Sequence, residues 1–361
     1  MDLSAHVLSV IETRGLAGPD TPVVLMVSGG SDSTALAYLC ADLRRQGKLG
    51  PLAMLHVNHR LRGDDADGDE AFARQLAEVL EIPFTCLSVD VRAISDEEGG
   101  NVEAVARRLR YQGAHEALAA LCQQHAVPVA DGRIFVAHTA DDRIENFFMR
   151  SIVGTGPGGF RSMRYLNGQV GRPLLDLGRD DLRAYIDDLA EAGRAMGRGP
   201  AGELWCEDAT NSHTDRFRAF VRCEMVPLAK ERNPRLLDTL VRTMNRIGDE
   251  DDMLEAMADR LLECHGRRLE PQQEGCLLGP GLGLQPVPLQ RRVAVRVLRD
   301  LLGPDARIEG ASVDAVLEGF DGPQPRSGYV ANIQGNLAVS ANRAGVRIEP
   351  MAAFRTRRKR L

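Results

Sequence analysis

Val23-Val24-Leu25-Met26-Val27 runs straight into Ser28-Gly29-Gly30-Ser31-Asp32-Ser33, and that bend into Thr34-Ala35-Leu36-Ala37-Tyr38-Leu39. The first run is apolar at every position, so it reads as a strand buried on both faces, the habit of a parallel sheet. The last run opens a helix. Between them, Gly29 and Gly30 let a ligand approach the backbone closely, and Ser28, Ser31 and Ser33 add hydroxyl donors. A helix N-terminus behind such a bend offers unpaired N–H groups and the positive end of a dipole. The bend therefore reads as a cradle for a pyrophosphate group such as that of ATP. Asp32 would repel phosphate on its own, so a magnesium ion between the two is expected. No Gly-Lys-Ser/Thr closes the loop, which excludes a Walker A motif.

Outward from this bend, the chain alternates strands and helices as far as about residue 140. Leu52–Val57, Pro83–Leu87 and Ile134–Ala137 read as further strands, with helices expected near 68–81, 102–125 and 141–152. The pattern predicts an α/β fold with a doubly wound parallel sheet, Rossmann-like, whose ligand lies at the carboxyl ends of the strands. Three polar segments fall at such ends: Ser28–Ser33, His56–Arg62 and the stretch from His138. Beyond about residue 223 the alternation stops, and helices are expected at 224–231, 234–247, 250–265 and 288–302. A small α+β ending follows, with a hairpin from Tyr329–Ile333 to Asn336–Ser340 turning at Gln334-Gly335. The expected domains are 1–222 and 223–361, the second mainly helical with a basic tail. Gly193–Gly202 reads as a surface insertion.

Length and charge narrow the classes. The 361 residues suffice for two or three domains, and no apolar run is long enough to cross a bilayer. The early acid Asp2 does not suit a secretory leader. Seven cysteines, odd in number and never spaced C-x-x-C, suit a reducing cytoplasm rather than a zinc or iron–sulfur site. The net charge is −6, yet arginines crowd 216–246 and the tail Arg355–Arg360 is strongly basic, a distribution suited to phosphate contacts.

Other constellations carry chemistry more weakly. His56, Asn58 and Arg62 sit at the end of the second strand, where they could meet a nucleobase or phosphate or simply form a solvated loop. Asn101 is a helix cap candidate. Behind it, Glu103 and Arg107 are spaced to pair, and Arg107 and Arg110 share a side suited to a phosphate or carboxylate. In His138-Thr139-Ala140-Asp141-Asp142-Arg143-Ile144-Glu145, Asp142 and Glu145 project from one helical face, where they could hold an ammonium or a metal. Asp141 is a candidate cap for that helix.

Strand–SGGxDS–helix resembles the PP-loop, or N-type ATP pyrophosphatase, signature. The ordered set is similar to one branch of it, the tRNA(Ile)-lysidine synthetases: Ser28–Ser33, His56–Arg62, Asn101–Tyr111, His138–Glu145, Gly154–Gly159, Arg172-Pro173-Leu174-Leu175, Trp205–Asn211 and Arg222–Leu228. The resemblance is strong over residues 20–230. Asn146, Val153 and Ala219 depart from the pattern, which usually has Thr, Arg and Asn there.

The resemblance implies a cytoplasmic ligase that adenylates C2 of the wobble cytidine in the CAU-anticodon isoleucine tRNA. It then attaches free lysine, changing codon reading from AUG to AUA. ATP, magnesium, tRNA and L-lysine are the expected partners, with a homodimer left open and no membrane. Ser28, Gly29, Gly30, Ser31, Asp32, Ser33 and His56 would bind nucleotide, with Asp32 toward the metal. Asp142 and Glu145 would hold lysine's ammonium, Arg107 and Arg110 a phosphate or carboxylate, and His138 would orient groups or relay a proton. A PP-loop tRNA thiolase and a catalytically silent tRNA-binding homologue are the rival readings.

Overall fold

A computed structural model describes residues 2–60, 64–199, 202–206, 216–269, 275–303 and 306–359. Arg62 and Glu207–Asn211, both named above, lie outside the described residues. Two compact units divide at Ile247/Gly248.

The first unit is built on a six-stranded sheet. Its strands are β1 (Val23–Met26), β2 (Leu52–Asn58), β3 (Phe84–Ser88), β4 (Arg133–Phe135), β5 (Leu166–Asn167) and β6 (Val170–Gly171), in the order β3-β2-β1-β4-β6-β5. All pairs are parallel except β5 with β6. The chain steps outward from β1 to β3, then returns to add β4 on the other side of β1. That reversal opens a crevice at the carboxyl ends of β1 and β4, the place where such sheets bind ligands.

Strand periodicity sends alternate side chains to opposite faces. Val23 and Leu25 join a large core with helices α1 (Leu3–Thr13), α2 (Ser31–Arg45), α3 (Asp64–Leu80) and, further along, α7 (Arg179–Glu191). Val24 faces the other way, onto a smaller core under the long helix α5 (Val102–Gln124), which follows the short α4 (Val91–Glu98). Helix α6 (Ala140–Val153) follows β4. The doubly wound sheet expected from the alternation is thus present.

Some local expectations are corrected. Strand β4 ends at Phe135 rather than Ala137. Helices α4 and α7 were not foreseen; α7 carries many acids and arginines, buries only Leu182 and Ile186, and starts behind Gly178 without a side-chain cap. Gly193–Gly202 is no loose insertion over its described part. Arg194 grips Asp42 with two hydrogen bonds of 2.7 and 2.5 Å, and the Tyr38 hydroxyl donates to the Ala195 carbonyl and accepts from Gly197 N–H. Cys40, Cys122 and Cys276 are buried, but Cys223 and Cys264 are exposed.

From Arg216 onward, α8 (Arg216–Phe220) runs through a single wide turn, Val221–Met225, into α9 (Val226–Arg232). The helical patterns read at 234–247 and 250–265 are one helix, α10 (Leu236–His265). Val221, Val226, Val241 and Met244 pack with Ala140 and Ile144 of α6. That shared core carries the first compact unit on to Ile247, beyond the boundary read near residue 222.

The second unit holds a five-stranded sheet of β7 (Gly266–Arg268), β8 (Cys276–Leu278), β11 (Val330–Ile333), β12 (Leu337–Asn342) and β13 (Gly345–Pro350), with a minor pair β9 (Phe320–Asp321) and β10 (Gln324–Pro325). Helices α11 (Val287–Leu302) and α12 (Gly310–Glu318) cover it. The hairpin foreseen at 329–340 is present, Ile333 opposite Leu337, with Gly335 at φ 68° supplying the left-handed turn residue. The basic tail forms helix α13 (Met351–Lys359). Arg357 is not free for a partner: it donates to the Glu349 carboxylate at 2.5 and 3.1 Å, and Glu349 is 1% exposed.

Candidate active site

A cavity of about 1020 Å³ opens at the carboxyl ends of the strands in the first unit. It is lined by Ser28 and Gly30–Ser33 of the bend after β1, by His56 to Asn58 of β2 and His59 just beyond, by Arg107, Arg110 and Tyr111 of α5, and by His138 and Asp142 after β4. Of the residues that the resemblance assigns to nucleotide, lysine or proton relay, all but Gly29 and Glu145 border this space. Gly29 is part of the bend, with φ 97°, a conformation that suits glycine. Glu145 lies one turn behind Asp142 and is bonded to two arginines that do line the cavity.

The bend is braced from within. The Ser33 hydroxyl donates to the Gly30 carbonyl at 3.0 Å and accepts from Ser28 N–H at 3.2 Å. Ser33 is therefore a girder of the loop, while Ser31 and Asp32 form the first turn of α2, where backbone N–H groups have no helical acceptor. His56 is buried, and its Nδ1 lies 2.9 Å from the Val27 carbonyl, tying β2 to the strand that feeds the bend. The Arg107 guanidinium lies over the Tyr111 ring at 5.0 Å.

Helix α6 begins with a capping box. Asp142 Oδ2 accepts from the Thr139 N–H at 2.9 Å and from its hydroxyl at 3.1 Å. Asp141 does not cap this helix; its carboxylate accepts the Arg179 N–H at 2.8 Å and fixes the start of α7. The other Asp142 oxygen accepts from Arg218 at 2.9 Å, with Arg179 at 3.8 Å. Glu145, 2% exposed, accepts from Arg218 at 2.7 Å and from Arg222 at 2.6 and 3.1 Å. The two carboxylates share one face, as their spacing predicts, but guanidinium groups meet them both. Arg222 reaches Glu145 from the wide helical turn, which aims its side chain at α6.

Beneath, Arg143 is 1% exposed and donates to Asn245 at 2.9 Å and Asp176 at 3.3 Å; Tyr165 donates to the same Asp176 oxygen at 2.5 Å. This buried network ties α6 to Asp176 and Asn245, although the Arg143 Nε has no hydrogen-bond partner among the described residues.

Electrostatics follow from these contacts. Burial pushes the Asp32 carboxyl above its usual range, against the opposing pull of Arg179, whose Nε lies 3.1 Å from Oδ2. Burial pushes His138 down to about 4, Asp142 opposing and Arg172, Arg218 and Arg107 reinforcing it. The imidazole is therefore neutral at physiological pH, and its buried Nδ1 has no hydrogen-bond partner among the described residues. Asp142 is held below its usual range: burial opposes this, and His138, the Thr139 N–H, Arg218 and Arg179 outweigh it. Among the described lining residues, seven arginines face four carboxylates, the balance expected of a site for a polyanion.

The described residues include no cluster of three or more His, Cys, Asp and Glu side chains placed to hold a metal ion. Asp32, one carboxylate at a phosphate-binding bend, fits instead the manner in which magnesium is held, by one or two carboxylates together with substrate phosphates. Such a cation would neutralise charge on the departing pyrophosphate.

Sequence reasoning missed Arg179 and Arg183, which line the cavity from α7, and read Arg218 and Arg222 as part of a crowd of arginines suited to phosphate contacts, not as partners of Asp142 and Glu145. Arginines four apart, flanking Leu182 and Ile186, were the available signal for the first pair.

The sheet order, the switch-point crevice and the glycine–serine bend define a nucleotide-binding α/β protein of the ATP pyrophosphatase type. The PP-loop domain family matches residues 9–229, and the chain belongs to that family. Among curated proteins, a tRNA(Ile)-lysidine synthase from Thermus thermophilus is 35% identical over 80% of this chain and 51% of its own length. One from Dehalococcoides mccartyi is 29% identical over 90% of this chain and 66% of its own length, and one from Geobacter sulfurreducens is 31% identical over 84% and 60%. The chain thus spans about half to two thirds of these relatives. A solved U34-tRNA thiolase from Methanococcus maripaludis, holding a [4Fe-4S] cluster, shares the fold with a TM-score of 0.50 at 18% identity, over 68% of this chain and 80% of that one. No helix among the described residues is long and apolar enough to cross a membrane.

Proposed function

We propose that the chain is an ATP-dependent tRNA-modifying ligase that joins free L-lysine to C2 of the wobble cytidine of the CAU-anticodon isoleucine tRNA, forming lysidine. One observation carries the reading. The phosphate bend and Asp142 border the same cavity, with Glu145 one turn behind Asp142 and paired to two lining arginines, so a nucleotide and an ammonium-bearing substrate can meet there. The similarity to curated tRNA(Ile)-lysidine synthases supports it.

The cytosine O2 attacks the α-phosphorus of ATP, the bond to pyrophosphate breaks, and O2 becomes an adenylate ester. The N–H groups of the bend and the start of α2 stabilise the leaving pyrophosphate. The side-chain amine of lysine then attacks C2, the C2–O bond breaks, and AMP departs with that oxygen. Asp142 and Glu145 hold the ammonium end of lysine, which exchanges with the guanidinium groups of Arg218 and Arg222. His138, neutral and with no partner for its Nδ1 among the described residues, orients the amine or relays the proton it loses. Arg107 and Arg110 hold a phosphate or carboxylate, and arginines beyond residue 223 hold the tRNA backbone.

Incubation with ATP, magnesium, lysine and total tRNA, followed by mass analysis of the nucleosides, tests the reading. Lysine-modified cytidine is expected. A sulfur-modified base would install the thiolase reading instead, and no modified base with intact tRNA binding the silent one. The cysteines favour neither a sulfur relay nor a cluster, since none is spaced C-x-x-C.

A further inference from the structure

Arg179 and Arg183 belong to none of the motifs from which the site was read, yet both turn toward the phosphate bend. They stand four apart on α7 and so share one helical face. Arg179 Nε donates to Asp32 Oδ2 at 3.1 Å, and Arg183 Nε reaches the Ser31 hydroxyl at 3.5 Å while its guanidinium lies 5.7 Å from the centre of the Trp205 ring. Ser31 and Asp32 are the first two residues of α2, the position toward which that helix aims its unpaired N–H groups. An anion seated on those N–H groups lies within reach of side chains already touching both residues. The base of α7 is fixed for the purpose: Asp141 accepts the Arg179 N–H at 2.8 Å, and Asp181 accepts the Gly178 N–H at 3.1 Å.

We propose that Arg179 and Arg183 form a two-pronged guanidinium clamp that closes on the outer phosphates of the nucleotide, opposite the N–H groups of the bend. The proposal rests on the reading that the bend holds ATP. Arginine's planar fork meets two phosphate oxygens at once, so each prong adds orientation as well as attraction. Arg179 here rests on Asp32. With nucleotide bound, it exchanges that carboxylate for a phosphate and leaves Asp32 to the cation. Holding the outer phosphates from α7 leaves the inner phosphorus open to the nucleobase and keeps the pyrophosphate aligned as a leaving group.

Equilibrium dialysis of the full chain with radiolabelled ATP, pyrophosphate and AMP, each with magnesium, tests this in the wild type, Arg183→Gln and Arg179→Gln. Loss of a charged hydrogen-bond partner predicts about tenfold or greater weakening for ATP and for pyrophosphate in both variants. AMP, which lacks the outer phosphates, is expected to bind as in the wild type, and that binding shows that the pocket remains folded. Unchanged ATP and pyrophosphate affinity in either variant overturns the clamp, as does equal weakening of all three ligands. Failure of the wild type to bind ATP at all strikes the proposed function instead.

Discussion

Glu145 is buried between two arginines. Glu145→Gln keeps the shape but removes the charge that two guanidinium groups face. A loss of roughly 1–3 kcal/mol of stability is expected, less than for a fully buried triad because both arginines are partly solvated; urea unfolding measures it. Asp142→Asn is milder, since an amide oxygen can still accept from Thr139. It should raise the lysine requirement well above any change in the ATP requirement, and an unchanged lysine KM would remove Asp142 from the lysine site. His138 gives a signed prediction for pH. Its folded pKa, about 4, lies below the ordinary histidine value of 6.5, so the unfolded chain binds the extra proton between those values. The stability it contributes is present above pH 6.5 and is lost as pH falls toward 4. His138→Gln should flatten that part of the stability curve. At this scale the sequence was informative where a residue sits in a motif. It was silent on charge partners: the spacing of Asp142 and Glu145 revealed their common face, but not that Arg218 and Arg222, more than seventy positions away, would meet them.

At the scale of elements, strong periodicity was legible and weak periodicity was not. β1, α2 and α5 follow from apolar runs and clear starts, whereas α7 buries two residues behind a glycine and was passed over, and with it the arginines it carries. The break read between 247 and 250 is a polar stretch that a long helix tolerates. Helix α13 shows why charge alone misleads. Phe354 is buried, and Arg357 neutralises Glu349, so deleting residues 353–361 removes structure as well as charge. The informative variant is Arg355→Gln with Arg358→Gln, two exposed positions. If the tail touches RNA, binding weakens and its salt dependence becomes shallower by about one unit of slope per contact, with thermal stability unchanged.

The whole molecule couples nucleotide binding to folding. A ligand that binds only the native state stabilises it by about 2.7 kcal/mol at a hundred times its Kd. Magnesium–ATP should therefore raise the melting temperature of the intact chain, and Asp32→Ala should abolish both that rise and tRNA-dependent ATP–pyrophosphate exchange. A variant that kept both would remove Asp32 from the phosphate site. The doubly wound sheet and its crevice were readable because they follow from the order of strands and helices. The unit boundary was not, because the packing of Val226, Val241 and Met244 against α6 depends on the folded chain rather than on local composition.

Trp205 is the only tryptophan in the chain, and it stands in the cavity wall with a guanidinium over its ring. The protein thus carries its own optical reporter. Its ultraviolet emission comes from one indole at the nucleotide's expected seat, so a label-free titration in a cuvette can register each substrate as it arrives, before any product is made.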